Sequence, residues 1–157
     1  MPTEPSPVEP ADQGIGAIVT GVNLAHYAEE IWMRAAQRRE EHPGEEYQAL
    51  RYWLTMVYAA LATWHELREE YPSTALSEAW EHPNRDPLRL LRNKTIHGGK
   101  VLVPPEVLAY YALPDGIEWA HAVYSELAAL VAEHYLGWSP EKIRESQLGP
   151  QEPWTGL

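Results

Sequence analysis

The run Leu91-Arg92-Asn93-Lys94-Thr95-Ile96-His97-Gly98-Gly99 sets an arginine, an adjoining amide and a histidine within six residues. These residue types suit cleavage of a phosphodiester without a metal. A guanidinium grips phosphate oxygens with paired donors. An imidazole takes a proton from a ribose 2′-OH, or gives one to a leaving oxygen, near neutral pH. An amide can orient either group. Arg92, Asn93 and His97 are therefore the candidate catalytic residues, with Arg89 and Lys94 as auxiliary RNA phosphate contacts. A single histidine supplies one proton-transfer group, whereas RNA cleavage uses a base and an acid. Two copies in a symmetric dimer would bring two histidines and two arginines to one cleft.

The run lies in the basic segment of an acidic chain. Residues 82–100 hold Arg85, Arg89, Arg92, Lys94 and Lys100 against Asp86 alone, while the whole chain carries −11. That balance argues against coating of a duplex and fits contact with a few phosphates. Without cysteine, disulfides and thiolate metal sites are excluded. The first residues have neither the basic end nor the apolar stretch of a signal peptide, and no apolar run approaches the ~20 residues that span a bilayer. The expected location is the cytoplasm, with no membrane partner.

The elements that must position these side chains read as helices. Residues 1–14, rich in Pro and Glu, are expected to be disordered, and 15–22 to form a short ordered lead-in. The spacing predicts a first helix over 23–42. Asn23 is its N-cap, Leu24, Tyr27, Ala28, Ile31 and Ala35 lie on one side, and His42-Pro43-Gly44 stops it. A second helix is expected over 45–71, where Leu50, Leu54, Val57, Leu61 and Trp64 step by four and three to make one seam. A short helix covers 74–81. The third main helix, over 87–97, has Asp86 as N-cap, Pro87 at its first position and Gly98-Gly99 beyond its end. An apolar connector over 101–105, a helical turn over 106–111 and a long helix over 116–136 follow. Ser139-Pro140-Glu141 opens a terminal helix, and 149–157 form a mobile tail. The fold class is all-α, an up-and-down bundle of about four main helices plus short ones, within a single domain over 15–148.

Arg92-Asn93-x-x-x-His97 on a late helix of such a bundle resembles the signature of the HEPN domains (higher eukaryotes and prokaryotes nucleotide-binding). In that signature an arginine, usually followed by a polar residue, precedes a histidine by four to six positions. Arg92, Asn93 and His97 occupy those places. The resemblance covers about residues 20–137 as architecture and 91–98 as motif. It implies a metal-independent endoribonuclease of toxin or defence type, acting as a homodimer with a composite site and leaving cyclic-phosphate ends. It also implies an antitoxin or other protein partner, and no cofactor. Some toxin members carry a tyrosine two residues after the histidine that the partner modifies; Gly99 stands there, which puts control by that modification in doubt. Other members keep the fold as binding or scaffolding modules.

Two readings compete. Glu118-x-x-His121 has the spacing used in di-metal helical bundles, with His65, Glu66, Glu69 and His134 as further ligands, but the second Glu-x-x-His that such a site needs is missing from the sequence. Glu118 and His121 then read as surface residues. Trp53, Trp64, Trp80 and Trp119 could stack on bases, although aromatics at helical spacing are more often core.

Overall fold

The computed structural model describes residues 10–97 and 103–146, with side chains from Gly14 onward. Among the described residues there are seven helices and no strand: α1 (Pro10–Gln37), α2 (Glu45–Glu66), α3 (Thr74–Glu81), α4 (Arg85–His97), α5 (Pro105–Tyr111), α6 (Gly116–His134) and α7 (Pro140–Glu145). The fold is all-α, as expected. The Gly98-Gly99 stop, the start of the 101–105 connector and the 149–157 tail lie outside the described residues, as do residues 1–9.

α2 is the central element and packs against α1, α6, α4 and α3. Its predicted seam is its buried side, with Leu50, Trp53, Leu54, Val57, Leu61 and Trp64 almost free of solvent contact. Trp53 and Trp64 are thus core residues. α2 ends at Glu66, five residues before the predicted Tyr71, because the chain turns at Leu67, whose N–H bonds to the Trp64 carbonyl. The turn is held by the Trp64 indole, which donates to the Tyr71 carbonyl at 2.8 Å.

α1 departs most from expectation. It begins at Pro10, inside the segment expected to be disordered, and runs straight through Asn23. Its buried stripe is Ile15, Ile18, Val22, Ala25, Ala28, Trp32 and Ala35. Of the predicted stripe Ala28 and Ala35 are buried, whereas Leu24, Tyr27 and Ile31 are 50%, 64% and 60% exposed. The reason is the crossing of α1 with α2. A Cβ on Gly21 would stand 3.0 Å from the Ala60 Cβ and 3.1 Å from its Cα, so the two backbones approach where both residues are small. α1 also ends at Gln37 rather than His42. The following turn is pinned by Arg39, which donates two hydrogen bonds to the buried Glu46 carboxylate, and by Arg38 to Glu45 at 2.9 Å. Gly44 enters α2 with φ +103°, a conformation that costs an L side chain about 1–2 kcal/mol.

α4 starts at Arg85, two residues before the predicted first position Pro87, so Asp86 lies in its first turn rather than capping it. The Asn84 carbonyl accepts from the Leu88 N–H at 3.1 Å, and the buried Asn84 amide donates to Asp115 at 3.0 Å. That bond ties the start of α4 to the loop before α6. Leu88 and Leu91 bury the inner side of α4 against the core. α5 is fastened to α6 by the buried Tyr110 hydroxyl, which donates to the Gly116 carbonyl at 2.6 Å.

Candidate functional site

α4 is a three-turn helix with its inner side set by Leu88 and Leu91, and this fixes where its polar residues point. At about 100° per residue, Asn93 and His97 lie about 40° apart. Arg92 and His97 diverge by about 140°. Arg92 Nη1 donates to Asn93 Oδ1 at 3.0 Å. Arg92 and Asn93 are half-buried, and His97 is exposed in the last turn. One chain therefore holds the guanidinium and the imidazole at the same end of α4 without joining them. Among the described residues His97 has no hydrogen-bond, ion-pair or ring partner.

Charge pairing separates Arg92 from seven of the other eight arginines. Arg34, Arg38, Arg39, Arg68, Arg85, Arg89 and Arg144 each face a carboxylate. Arg92 faces none among the described residues, and its Nε–H is buried without an acceptor. A half-buried guanidinium lacking an anion is short of a partner that a phosphate oxygen would supply. Arg89 and Lys94 are already engaged: Arg89 Nε lies 3.5 Å from Asp86, and Lys94 Nζ 3.6 Å from Glu106 of α5. Both are about half exposed, and such pairs hold their partners weakly.

The end of α4 is held by residues that sequence reasoning missed. Arg51 of α2 donates from Nε to the Thr95 hydroxyl at 2.7 Å and from Nη2 to the Lys94 carbonyl at 3.2 Å. Thr95 in turn donates to the Leu91 carbonyl. Beside it the Tyr111 hydroxyl donates to the Tyr47 carbonyl at 2.8 Å, tying α5 to α2, and burial pushes that phenol well above its ordinary range. No local signal marks Arg51, because its partners lie more than forty positions along the chain.

The residues of the metal reading are dispersed. Glu118 is exposed, while His121 turns away from it toward Glu29 of α1, with Nδ1 3.8 Å from Oε1. Of the two expected surface residues, His121 is half-buried. Its ring lies 4.5 Å from that of Trp53 and 5.7 Å from that of Trp32, centroid to centroid, and burial lowers its pKa. His65 instead stacks on Trp80 at 3.8 Å, and His134 meets the ring edge of Tyr71. Among the described residues no three His, Asp or Glu side chains converge on a point that could hold a metal ion. Nor is any helix among them long and apolar enough to cross a membrane.

In comparisons with family models, with curated proteins and with solved structures, nothing matches the chain.

Proposed function

We propose that this chain is a HEPN-like, metal-independent endoribonuclease of toxin or defence type, working as a homodimer. The observation that carries the reading is Arg92: a half-buried guanidinium facing no carboxylate among the described residues, braced by Asn93, on the last turns of the helix that ends in exposed His97. In this reading His97 accepts the proton of a ribose 2′-OH. The 2′ oxygen attacks phosphorus, the bond to the 5′ oxygen breaks, and a 2′,3′-cyclic phosphate forms. Arg92 neutralises the charge that gathers on the phosphoryl oxygens as the phosphorus becomes five-coordinate. Asn93 holds Arg92 and has amide N–H groups left for a phosphate oxygen.

The leaving 5′ oxygen needs a proton. The second copy's histidine supplies it when the two α4 ends face one cleft. Leu90 and Ile96 on α4 and Leu108 on α5 are 43%, 51% and 55% exposed, apolar surface that a second copy would cover in this reading. An antitoxin or other regulator is the further partner this reading entails, and the cytoplasm its place of action. The test is cleavage of RNA in EDTA by the wild-type protein and by Arg92→Ala and His97→Ala. Undiminished cleavage by either variant, or none by the wild type, overturns the enzymatic reading. A binding or scaffolding module of the same fold would then be the remaining reading, with partner capture insensitive to His97→Ala.

A further inference from the structure

Arg85, Arg89 and Arg92 step by four and three residues along α4. That puts them within an arc of about 60°, with rises of about 6 Å and 4.5 Å between neighbours. Resting on the reading of Arg92 above, we propose that these three arginines form a phosphate ladder that holds successive phosphates of single-stranded RNA and leads the strand to the His97 end of the helix.

The charge along this side of α4 is only partly compensated. Among the described residues Asp86 is the one carboxylate paired with two of the three guanidiniums, 3.4 Å from Arg85 Nη2 and 3.5 Å from Arg89 Nε. Arg92 has none among the described residues. Arg85 and Arg92 each also carry a buried Nε–H without an acceptor. A row of cations spaced by about one helical turn complements a chain bearing one anion per step.

Arg85 is set for this role by stacking. Its Cζ lies 4.8 Å from the centre of the Trp80 ring, and Trp80 stacks in turn on His65 with ring planes 7° apart. Stacking fixes the guanidinium plane, so that less freedom is lost when its donor edge meets a phosphate. Burial, followed by the nearby Arg68 and Arg85 charges, lowers the His65 pKa, so this base of the stack is neutral near pH 7 and adds no competing cation. Lys94 lies on the opposite side of α4, about 180° from Arg85, and takes no part.

A single strand is favoured over a duplex because the second strand of a duplex would lie against a protein of charge −11. An acidic peptide is the competing occupant, and the test includes it.

The probe is a fluorescein-labelled 2′-O-methyl uridine dodecamer, which this chemistry does not cleave. Its binding is followed by anisotropy in EDTA over a range of salt. Arg85→Ala and Arg89→Ala are each expected to weaken binding about 3- to 10-fold and to flatten the log–log salt slope by about 0.7. Arg85→Lys, which keeps the charge but not the stacked fork, should weaken binding while leaving the slope unchanged. Trp80→Phe should give a smaller loss than Arg85→Ala, and the distant Arg144→Ala none. Circular dichroism checks that each variant is folded.

The ladder is overturned if Arg85→Ala and Arg89→Ala bind as the wild type does. It is also overturned if labelled oligoglutamate binds as tightly with the same dependence, which would assign the row to an acidic protein. Cleavage of unmodified RNA by the wild type is measured beside it. Cleavage without dependence on Arg85 and Arg89 removes the ladder alone, whereas dependent binding without cleavage supports the ladder and removes the enzymatic reading alone.

Discussion

Arg51 Nε donates to the Thr95 hydroxyl at 2.7 Å, and through that bond a residue of α2 governs the last turn of α4. The same guanidinium reaches the Lys94 carbonyl at 3.2 Å. This carbonyl belongs to the final turn, where backbone acceptors lack partners within the helix and the dipole is negative, so a cation there is stabilising. Thr95 passes the restraint on by donating to the Leu91 carbonyl at 2.9 Å. His97 lies two residues beyond Thr95, and its placement therefore depends on a side chain from the centre of the bundle.

Replacing Arg51 should act in two ways. Arg51→Met keeps the aliphatic stem and removes the charged hydrogen bonds, with an expected loss of about 1.5–3 kcal/mol in urea denaturation. If Arg51 positions His97, the variant should also lose turnover while its KM stays near that of the wild type, and Arg51→Lys should restore part of the turnover. Unchanged stability would show that the strut carries no weight. A rise in KM with unchanged turnover would make Arg51 a binding residue instead.

Arg92 and His97 should separate chemistry from folding. Removing a group that stabilises transition-state charge typically lowers turnover about 100- to 1000-fold, and loss of a proton-transfer group gives a comparable deficit. Arg92→Ala and His97→Ala should reach those losses in a gel assay of RNA cleavage in EDTA. Neither should lower the melting temperature, since His97 is exposed and, among the described residues, the Arg92 side chain bonds only to its neighbour Asn93. A large fall in melting temperature would make the motif a structural one.

What could be read from the sequence follows from where each restraint comes from. The α2 seam was legible because Leu50, Leu54, Val57, Leu61 and Trp64 form a stripe that no rival set matches. α1 offered two stripes of equal spacing, Leu24–Tyr27–Ile31 and Ile18–Val22–Ala25. The choice between them is made by the Gly21–Ala60 crossing, which is a tertiary fact. Glycines at 14, 16 and 21 also lowered the helical propensity of a stretch that packing nevertheless holds helical. In the candidate site, residue types and spacing singled out Arg92, Asn93 and His97. That Arg92 faces no carboxylate among the described residues, that Arg51 clasps Thr95 and that His121 lies on two tryptophans all depend on residues far apart in sequence.

The two kinds of glycine in α1 should respond oppositely to one extra methyl. A Cβ on Gly16 meets nothing within 4 Å, so Gly16→Ala should gain about 0.5–1 kcal/mol from helix propensity alone. At Gly21 the same methyl would meet Ala60 Cα at 3.1 Å, and a backbone atom yields only if the two helices move apart. Overpacking costs about 1–3 kcal/mol, which offsets or exceeds the propensity gain. Melting curves should show Gly16→Ala above the wild type and Gly21→Ala at or below it. A rise for both would mean that the α1–α2 crossing is looser than its geometry.

His121 should make stability depend on pH below neutrality. Burial against Trp32 and Trp53 holds its ring below the ordinary histidine value, whereas in the unfolded chain it titrates near ~6.5. Between those two values the unfolded state binds more protons, so stability is highest above about 6.5 and falls as pH drops toward the folded value. His65, lowered by burial and by Arg68 and Arg85, acts in the same sense. Glu29, which faces His121 from α1, acts in the opposite one. Burial raises its carboxyl despite the nearby His26, so the folded form takes up a proton first and stability is regained as pH approaches about 4.5. Tyr124, which also faces this cluster, is pushed upward by burial and then by Glu29 and Glu30, and stays neutral throughout. The urea midpoint should therefore fall between about pH 7.5 and about pH 5.5. His121→Leu should reduce that slope, His65→Gln with His121→Leu should nearly flatten it, and Glu29→Gln should leave the fall in place while removing the recovery at lower pH. A slope unchanged in His121→Leu would locate the dependence elsewhere.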